Sequence, residues 1–548
     1  MKSGNIRLLP VKGPPLRAAF TLLALAPFAF GFLALALGQD ANWDLRNYHW
    51  YNAYAFLNNR YGTDFLPSQT PWFYNPLLDL PFYLLATHAP ARVAGFTLGF
   101  VQGFNFILLF LLAHAALIIE RAGWKVGICA GLATIGMLGG GGIALIGTTF
   151  YDNVTSLGTF LSALLMVRYH GHLMRVPLRR AIFLAVLIGL PSGLMLGLKL
   201  PCVTFCVGLC FGILAMSGPF VRLFLMSFGF GIGVLAGATI TLGHWAWFLD
   251  NYFGNPFFPY FNNYFQSSFA PLSSARDVKF VPDGFWRALV FPFIFAVHPK
   301  DVVGEIDWRD WGIPILYALL PVTLGLRWWR RRSRHKPDEI AAPHATRFLL
   351  AAAAITYFVW LLMFGIYRYA VPLEMLAPLL IVLACGLLPF TIKVRETVIA
   401  VLLIMTVLSV SPGNWSRREA WLNRFVEADI PPLGNSGDLM ILMAGFEPYS
   451  HLVPEFPPDI AFLRIESNFS SFSGPDDKTG VNRILRRRIR AHNGPFMLLI
   501  QPYNMDLAKD ALHNVGLEVA NEPCKTVTDR LYEDTKLDLC KVVRPQTE

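Results

Sequence analysis

The stretch that decides the fold runs from Ala18 to Trp50 and reads AAFTLLALAPFAFGFLALALGQDANWDLRNYHW. Its first part, Ala18 to Leu37, carries no charge, and about 20 apolar residues match the hydrocarbon thickness of a bilayer. Ala34-Leu35-Ala36 resembles a cleavage site, but the run is too long for a secretory signal core. It reads as an uncleaved first span. Polar residues crowd in immediately afterwards, with Asp40, Asn42 and Asp44 set among aromatics.

Apolar runs of this kind recur outward from that stretch. The 548 residues are 54% hydrophobic and only 15% charged, whereas a soluble domain carries about 25% charged residues. The deficit ends near Ser411. Residues 1–410 therefore read as a polytopic helical membrane bundle of about eleven spans. Residues 411–548 read as a small C-terminal α/β domain, with apolar runs at Leu439–Ala444, Phe496–Gln501 and Leu537–Val543 and a helical pattern at Asp506–Val515. The spans fall at about 18–37, 92–118, 126–147, 153–168, 181–198, 201–217, 220–243, 311–326, 347–366, 371–391 and 397–410. Two apolar pieces are too short to cross: Pro76–His88, and Phe285–Val297, which is expected to be re-entrant or interfacial.

The formal charge of +10 suggests nucleic acid until its placement is examined. Lys2, Arg7, Lys12 and Arg17 precede the first span. Arg168, Arg175, Arg179 and Arg180 share one short connector, and Arg327, Arg330, Arg331, Arg332, Arg334 and Lys336 share another. Short cytoplasmic loops collect Lys and Arg, so the charge orients the chain and calls for no nucleic-acid partner. The N-terminus is then cytoplasmic, and the C-terminal domain lies outside. Cys524 and Cys540 are expected to pair in that compartment. Cys202, Cys206 and Cys210 recur at helical spacing in an apolar run and read as packing residues rather than metal ligands. Gly229, Gly231, Gly233 and Gly237 resemble a nucleotide fingerprint but sit inside a span, where they read as close helix contact. No cofactor is called for, and no metal is indicated.

The candidate site follows from asymmetry. Nearly every acid and amide of residues 1–410 lies on the outer side. Asp44 is a candidate general base, with Asp40 its substitute or partner; its plain structural role is a helix N-cap. Asp79 stands in an apolar run, which makes it a functional candidate by default. Arg46, Asn47 and His49 of the first loop, Asn75 before the second span, Asp152 in a short loop and Asn255 in NYFGNPFFPYFNNYFQSS complete a polar, aromatic surface suited to sugar. Lys199 and Arg368 are the cations able to hold a phosphate. Their structural alternatives are snorkelling for Lys199 and an ion pair with Glu374 for Arg368. Tyr369 adjoins Arg368. Arg309, in EIDWRD, contacts substrate or forms a salt-bridged hinge.

Taken together, the chain resembles the GT-C superfamily of polytopic glycosyltransferases, which use polyprenyl-phosphate sugars. The resemblance is architectural over about residues 18–410 and rests on an acid just after the first span and on Tyr74-Asn75-Pro76 before the second. NYHWYNAYAFLNNR, the D-x-L-P-S-Q string from Asp64 to Gln69, FYNPLLDLPFYL, GNPFFPYFN and RYAVPLE are similar to uncharacterised bacterial membrane proteins grouped with that superfamily. The resemblance implies a bacterial inner membrane location and a periplasmic tail. It implies a first-loop Asp base, here Asp44 or Asp40, and a cation on the carrier phosphate, here Arg368. The reaction would be an inverting transfer to a glycan, lipid or protein acceptor. The Asp-Glu pair of protein mannosyltransferases is absent, since Leu45 follows Asp44. Two rivals remain. An O-antigen polymerase or ligase would lean on outer-loop Arg and His, here Arg46, His49 and Arg309. A lipid-linked glycan transporter would place polar residues at the bilayer midplane and show internal symmetry, and no repeat is visible.

Overall fold

The computed structural model describes residues 14–273, 277–329, 339–434, 437–472 and 478–545. The basic residues Lys2, Arg7, Lys12, Arg330, Arg331, Arg332, Arg334 and Lys336 lie outside the described residues. The chain is mainly helical, with a small sheet near its C-terminus. Seven helical segments among the described residues are long and apolar enough to cross a membrane: Pro14–Leu37, Ala91–Ala116, Leu178–Leu198, Phe220–Phe253, Gly312–Trp329, Pro343–Met363 and Tyr367–Gly386.

Small residues set how closely these helices approach. A Cβ added at Gly189, Gly193 or Gly233 would lie within 2.2 Å of a backbone carbonyl oxygen on the facing helix. Leu178–Leu198 and Phe220–Phe253 therefore touch backbone to backbone, as the glycine run implied. Gly231 points elsewhere, towards Cys210. The cysteine stripe also packs: Cys206 Sγ meets Ser192 O, and Cys210 Sγ meets Ser227. At the centre runs Val371–Gly386, in which every residue before Gly386 is buried. Its N-terminal end carries Arg368 and Tyr369 on a short 3-10 turn, Tyr367–Ala370. The centre of the bundle thus delivers two of the candidate residues to one end.

That end also gathers the loops. The first helix stops at Gly38, whose φ of +99° and contact with Arg418 O exclude a side chain. Gln39-Asp40 then pairs antiparallel with Arg417-Arg418. A short π-helical turn, Leu45–His49, runs into the helix Trp50–Leu57. Phe285–Val297 is a 13-residue helix that buries Phe291 and Phe295 and exposes Phe285 and Trp286, the pattern expected of an interfacial piece.

The C-terminal sheet is mixed. Met440–Ala444 lies between two parallel neighbours, Ala461–Glu466 and Phe496–Ile500. Phe496–Ile500 then pairs antiparallel with Thr535–Val543, which also pairs with Lys525–Asp529. Cys524 and Cys540 form the expected disulfide. The edge strand Ala461–Glu466 is covered by the first loop, because Phe65 N donates to Phe462 O and Arg464 N donates to Phe65 O. Asp64 of the D-x-L-P-S-Q string locks this junction, accepting from Arg60, Tyr51 and Phe462 N. Residues 41–98 and the C-terminal sheet consequently share one apolar core, with Tyr51, Phe65, Trp72 and Phe73 packed beside Leu442, Tyr449 and Leu463.

Candidate functional site

Asp44 and Arg368, 324 positions apart, form an ion pair of 3.1 Å between Asp44 Oδ2 and Arg368 Nη1. Tyr48 OH donates to the same Oδ2 at 3.0 Å. Among the described residues no partner reaches Asp44 Oδ1. The Arg368 guanidinium stacks 4.0 Å from the Phe150 ring centroid and 5.2 Å from that of Trp415. Stacking of this kind holds a guanidinium plane while leaving edge N–H groups free to donate.

A second pair stands beside the first. Lys199 Nζ donates at 2.6 Å to both Asp152 Oδ1 and Phe150 O. Lys199 and Arg368 flank Tyr369, at 5.4 and 5.8 Å from its ring centroid, and both use Phe150, one through its carbonyl and one through its ring. Each cation is opposed by one carboxylate, so the two pairs are close to neutral in sum.

His49 and Asp79 form a third contact, with His49 Nδ1 2.6 Å from Asp79 Oδ1. Burial, then the charges of Lys199 and Arg368, hold His49 well below the ordinary imidazole value. Burial pushes Asp79 well above the usual carboxylate range; Lys199 opposes this and Asp44 adds to it. Aromatic rings fill the surroundings. Tyr48 lies against His49 at 4.1 Å and Tyr74 at 5.3 Å, Tyr151 meets His49 edge-on at 4.9 Å, and Tyr74 OH hydrogen-bonds Tyr260 OH at 2.7 Å. A narrow cleft lined by Asp152, Thr155, Ser156, Thr159, Phe205 and Tyr369 adjoins the charged pairs.

Several expectations are corrected. Asp44 is not an N-cap: it has helical backbone angles and no capping bond, and Asn42 Oδ1 instead accepts from Leu45 N at 2.8 Å. Arg368 does not pair with Glu374, which accepts from Tyr367 OH and from the N–H groups of Gly141 and Gly142. Lys199 is ion-paired rather than snorkelling. Asp40 shares neither of Asp44's hydrogen-bond partners, Tyr48 and Arg368. Burial raises it, while Thr149 and Arg417 oppose the rise. Its oxygens accept from Asn42 N, Asn42 Nδ2, Thr149 N and Thr149 OH, an arrangement that tethers the end of the first span to the 146–150 turn.

Five more candidates serve the scaffold. Arg46 lies 3.5 Å over the Tyr532 ring, and its carbonyl oxygen accepts from His451. Asn47 O accepts from Ser450 OH, so both residues dock the C-terminal domain. Asn75 accepts from Leu77 N and donates to Gly197 O and Thr241 O, tying two long helices together. Asn255 braces its own turn through Phe257 N and Tyr260 O. Arg309 has an exposed side chain, and its backbone bridges to Ser411. Among the described residues it makes no ion pair, so the hinge is held by backbone rather than charge.

Sequence reasoning missed Tyr48, Phe150, Tyr151 and Trp415. Only Tyr151 left a trace, as an aromatic beside Asp152. No group of three or more His, Cys, Asp or Glu able to hold a metal is found among the described residues. The geometry thus defines a helical, membrane-suited protein with paired charges in an aromatic site at one end. No protein-family model matches the chain, and no curated protein matches it.

Proposed function

We propose that this chain is a membrane glycosyltransferase of the GT-C type, moving a sugar from a polyprenyl phosphate to a glycan, lipid or protein acceptor. The observation that carries the reading is the meeting of Asp44–Arg368 and Asp152–Lys199 around Tyr369 and Phe150, at the end of a bundle of apolar helices. A lipid-borne donor needs its phosphate near the membrane boundary and a cation to hold it. In this reading Arg368 and Lys199 hold the phosphate. The acceptor oxygen attacks the anomeric carbon, the bond from that carbon to the phosphate oxygen breaks, and polyprenyl phosphate leaves. Asp44 Oδ1 takes the acceptor's proton. One displacement inverts the anomeric centre and needs one base, unlike hydrolysis with two carboxylates.

The same reading counts about eleven spans. Beyond the seven long apolar segments, this reading assigns the remaining four spans to the helical segments Ala122–Met137, Asp152–Arg175, Leu200–Ala215 and Ile392–Ser409. Contacts support the alternation this implies. The loops at 38–40, 149–152, 199, 309 and 411 meet at one end, while Ile118 meets Ile340 and Arg222 meets Leu173 at the other. In a bacterial inner membrane, with basic connectors in the cytoplasm, the site and the C-terminal domain face the periplasm.

The second reading, a polymerase or ligase of lipid-linked glycans, is favoured by the His49–Asp79 contact. Arg46 and Arg309, on which it also leaned, serve the scaffold instead. The phosphate role is tested by native mass spectrometry of the full chain with undecaprenyl phosphate. Arg368→Gln and Lys199→Gln should each weaken binding by about tenfold, the loss of one charge-assisted hydrogen bond. Equal binding by wild type and both variants rejects it.

A further inference from the structure

Four buried polar atoms in and beside the charged pairs have no hydrogen-bond partner among the described residues: Arg368 Nε, His49 Nε2, Tyr151 OH and Asp152 Oδ2. The last three belong to almost fully enclosed residues: His49 is 6% exposed, Tyr151 3% and Asp152 4%. An enclosed polar atom without a partner forfeits its hydration and gains no bond in return. Three of them on one turn and the segment facing it mark a place shaped for something other than the fold itself.

The backbone adds an independent sign. Tyr151 has φ of +62°, a left-handed conformation disfavoured for a bulky residue. That conformation comes just before the helix Asp152–Arg175 and sets the Tyr151 ring edge-on against His49 at 4.9 Å. His49 is fixed from behind by Asp79, and Asp152 by Lys199. The supporting contacts thus use His49 Nδ1 and Asp152 Oδ1 and leave the opposite atom of each open.

We propose that His49, Tyr151 and Asp152 form a hydroxyl-binding subsite for a sugar, in which His49 Nε2 and Asp152 Oδ2 accept and Tyr151 OH donates. The chemistry selects the ligand class. In the tautomer that donates Nδ1–H to Asp79, His49 offers a neutral lone pair at Nε2. One carboxylate oxygen and one phenol complete a set that matches the alternating donors and acceptors of a polyol. A phosphate's oxygens, all acceptors, have no donor to meet at the His49 Nε2 lone pair or at Asp152 Oδ2, and an ammonium would meet Lys199 and Arg368. The adjoining cleft continues the pattern with the hydroxyl-bearing residues Thr155, Ser156 and Thr159. Its assignment as the acceptor end of the transfer rests on the transferase reading; the binding of sugar does not.

The test uses the full chain in nanodiscs and a panel of methyl glycosides of glucose, galactose, mannose, N-acetylglucosamine and arabinose. Thermal midpoints are compared for wild type, Tyr151→Phe and His49→Gln. Tyr151→Phe removes only an unpartnered hydroxyl, so the fold should keep or slightly raise its midpoint. At least one glycoside should raise the wild-type midpoint beyond its general solute effect, and both variants should bind it about tenfold more weakly. If no glycoside distinguishes wild type from Tyr151→Phe, the subsite is wrong. A glycoside that binds while no polyprenyl-phosphate sugar is turned over leaves the subsite standing and removes the transferase reading. Turnover whose acceptor KM is unchanged in both variants removes the subsite and leaves that reading intact.

Discussion

Exchanging the two first-loop carboxylates separates scaffold from chemistry. Asp40 is 1% exposed, and its oxygens accept from Asn42 N at 3.1 Å and from Asn42 Nδ2, Thr149 N and Thr149 OH at 2.8 Å. In Asp40→Ala the Thr149 hydroxyl can turn, and Asn42 Nδ2 keeps a 3.1 Å bond to it. The two backbone N–H groups are stranded. At about 1–3 kcal/mol for each, with the Arg417 charge also left without its neighbour, the loss is roughly 3–5 kcal/mol. Asp44 is different. Its side chain is 14% exposed, and Asn can still accept from Tyr48 and Arg368. Asp44→Asn keeps these hydrogen bonds but leaves the mostly enclosed Arg368 charge uncompensated, a cost of roughly 2 kcal/mol, and should lower transfer by roughly 10²–10⁴-fold, the usual effect of losing a general base. Thermal unfolding of the full chain in nanodiscs, run beside a transfer assay with a polyprenyl-phosphate sugar, reads both quantities. Near-normal transfer by Asp44→Asn, with transfer abolished and the midpoint unchanged in Asp40→Asn, would refute the reasoning and make Asp40 the base. If neither substitution alters transfer, the polymerase and transporter readings move ahead.

Other consequences are open to measurement. Cys524 and Cys540 should both resist thiol labelling in denatured, unreduced protein, whereas labelling of both would exclude the disulfide. Alkaline phosphatase fused after Glu548 should be active, and an active cytoplasmic reporter at that point would reverse the topology. His49, held below its ordinary value by burial and nearby cations, takes up a proton more readily when unfolded than when folded. Stability should therefore fall as pH drops below about 6.5. His49→Gln should reduce that slope between pH 7 and 5, and an unchanged slope would place the titration elsewhere.

Much of the fold was legible because membrane burial leaves a coarse signature. Long uncharged runs, basic connectors and small-residue spacing need no tertiary information, and Gly233 could be read as a close contact from its run alone. The site was legible only in part. Asp44, Asp79, Asp152, Lys199 and Arg368 stood out as isolated charges in apolar or aromatic surroundings, where a charge demands a partner. Which partner it finds depends on helix order, so the sequence offers nearby Glu374 as the structural alternative for Arg368 and gives no sign of distant Asp44. Short polar residues misled in the other direction. Asn75 and Asn255 look like ligand residues but satisfy backbone groups where helices or turns end. Arg46 and Asn47 sit between site residues in sequence, yet the Arg46 side chain and the Asn47 backbone carbonyl contact the C-terminal domain. The sequence marks a polar loop as interactive, but it does not say whether the interaction is with a substrate or with another part of the chain.

The most direct measurement of the central claim supplies the purified chain with a polyprenyl-phosphate sugar of defined anomeric configuration and follows it by mass spectrometry and NMR. The account predicts release of polyprenyl phosphate and a product sugar of opposite configuration, with both lost in Asp44→Asn. An intact donor in the presence of glycan, lipid and protein acceptors, or a product that retains the donor's configuration, would contradict it.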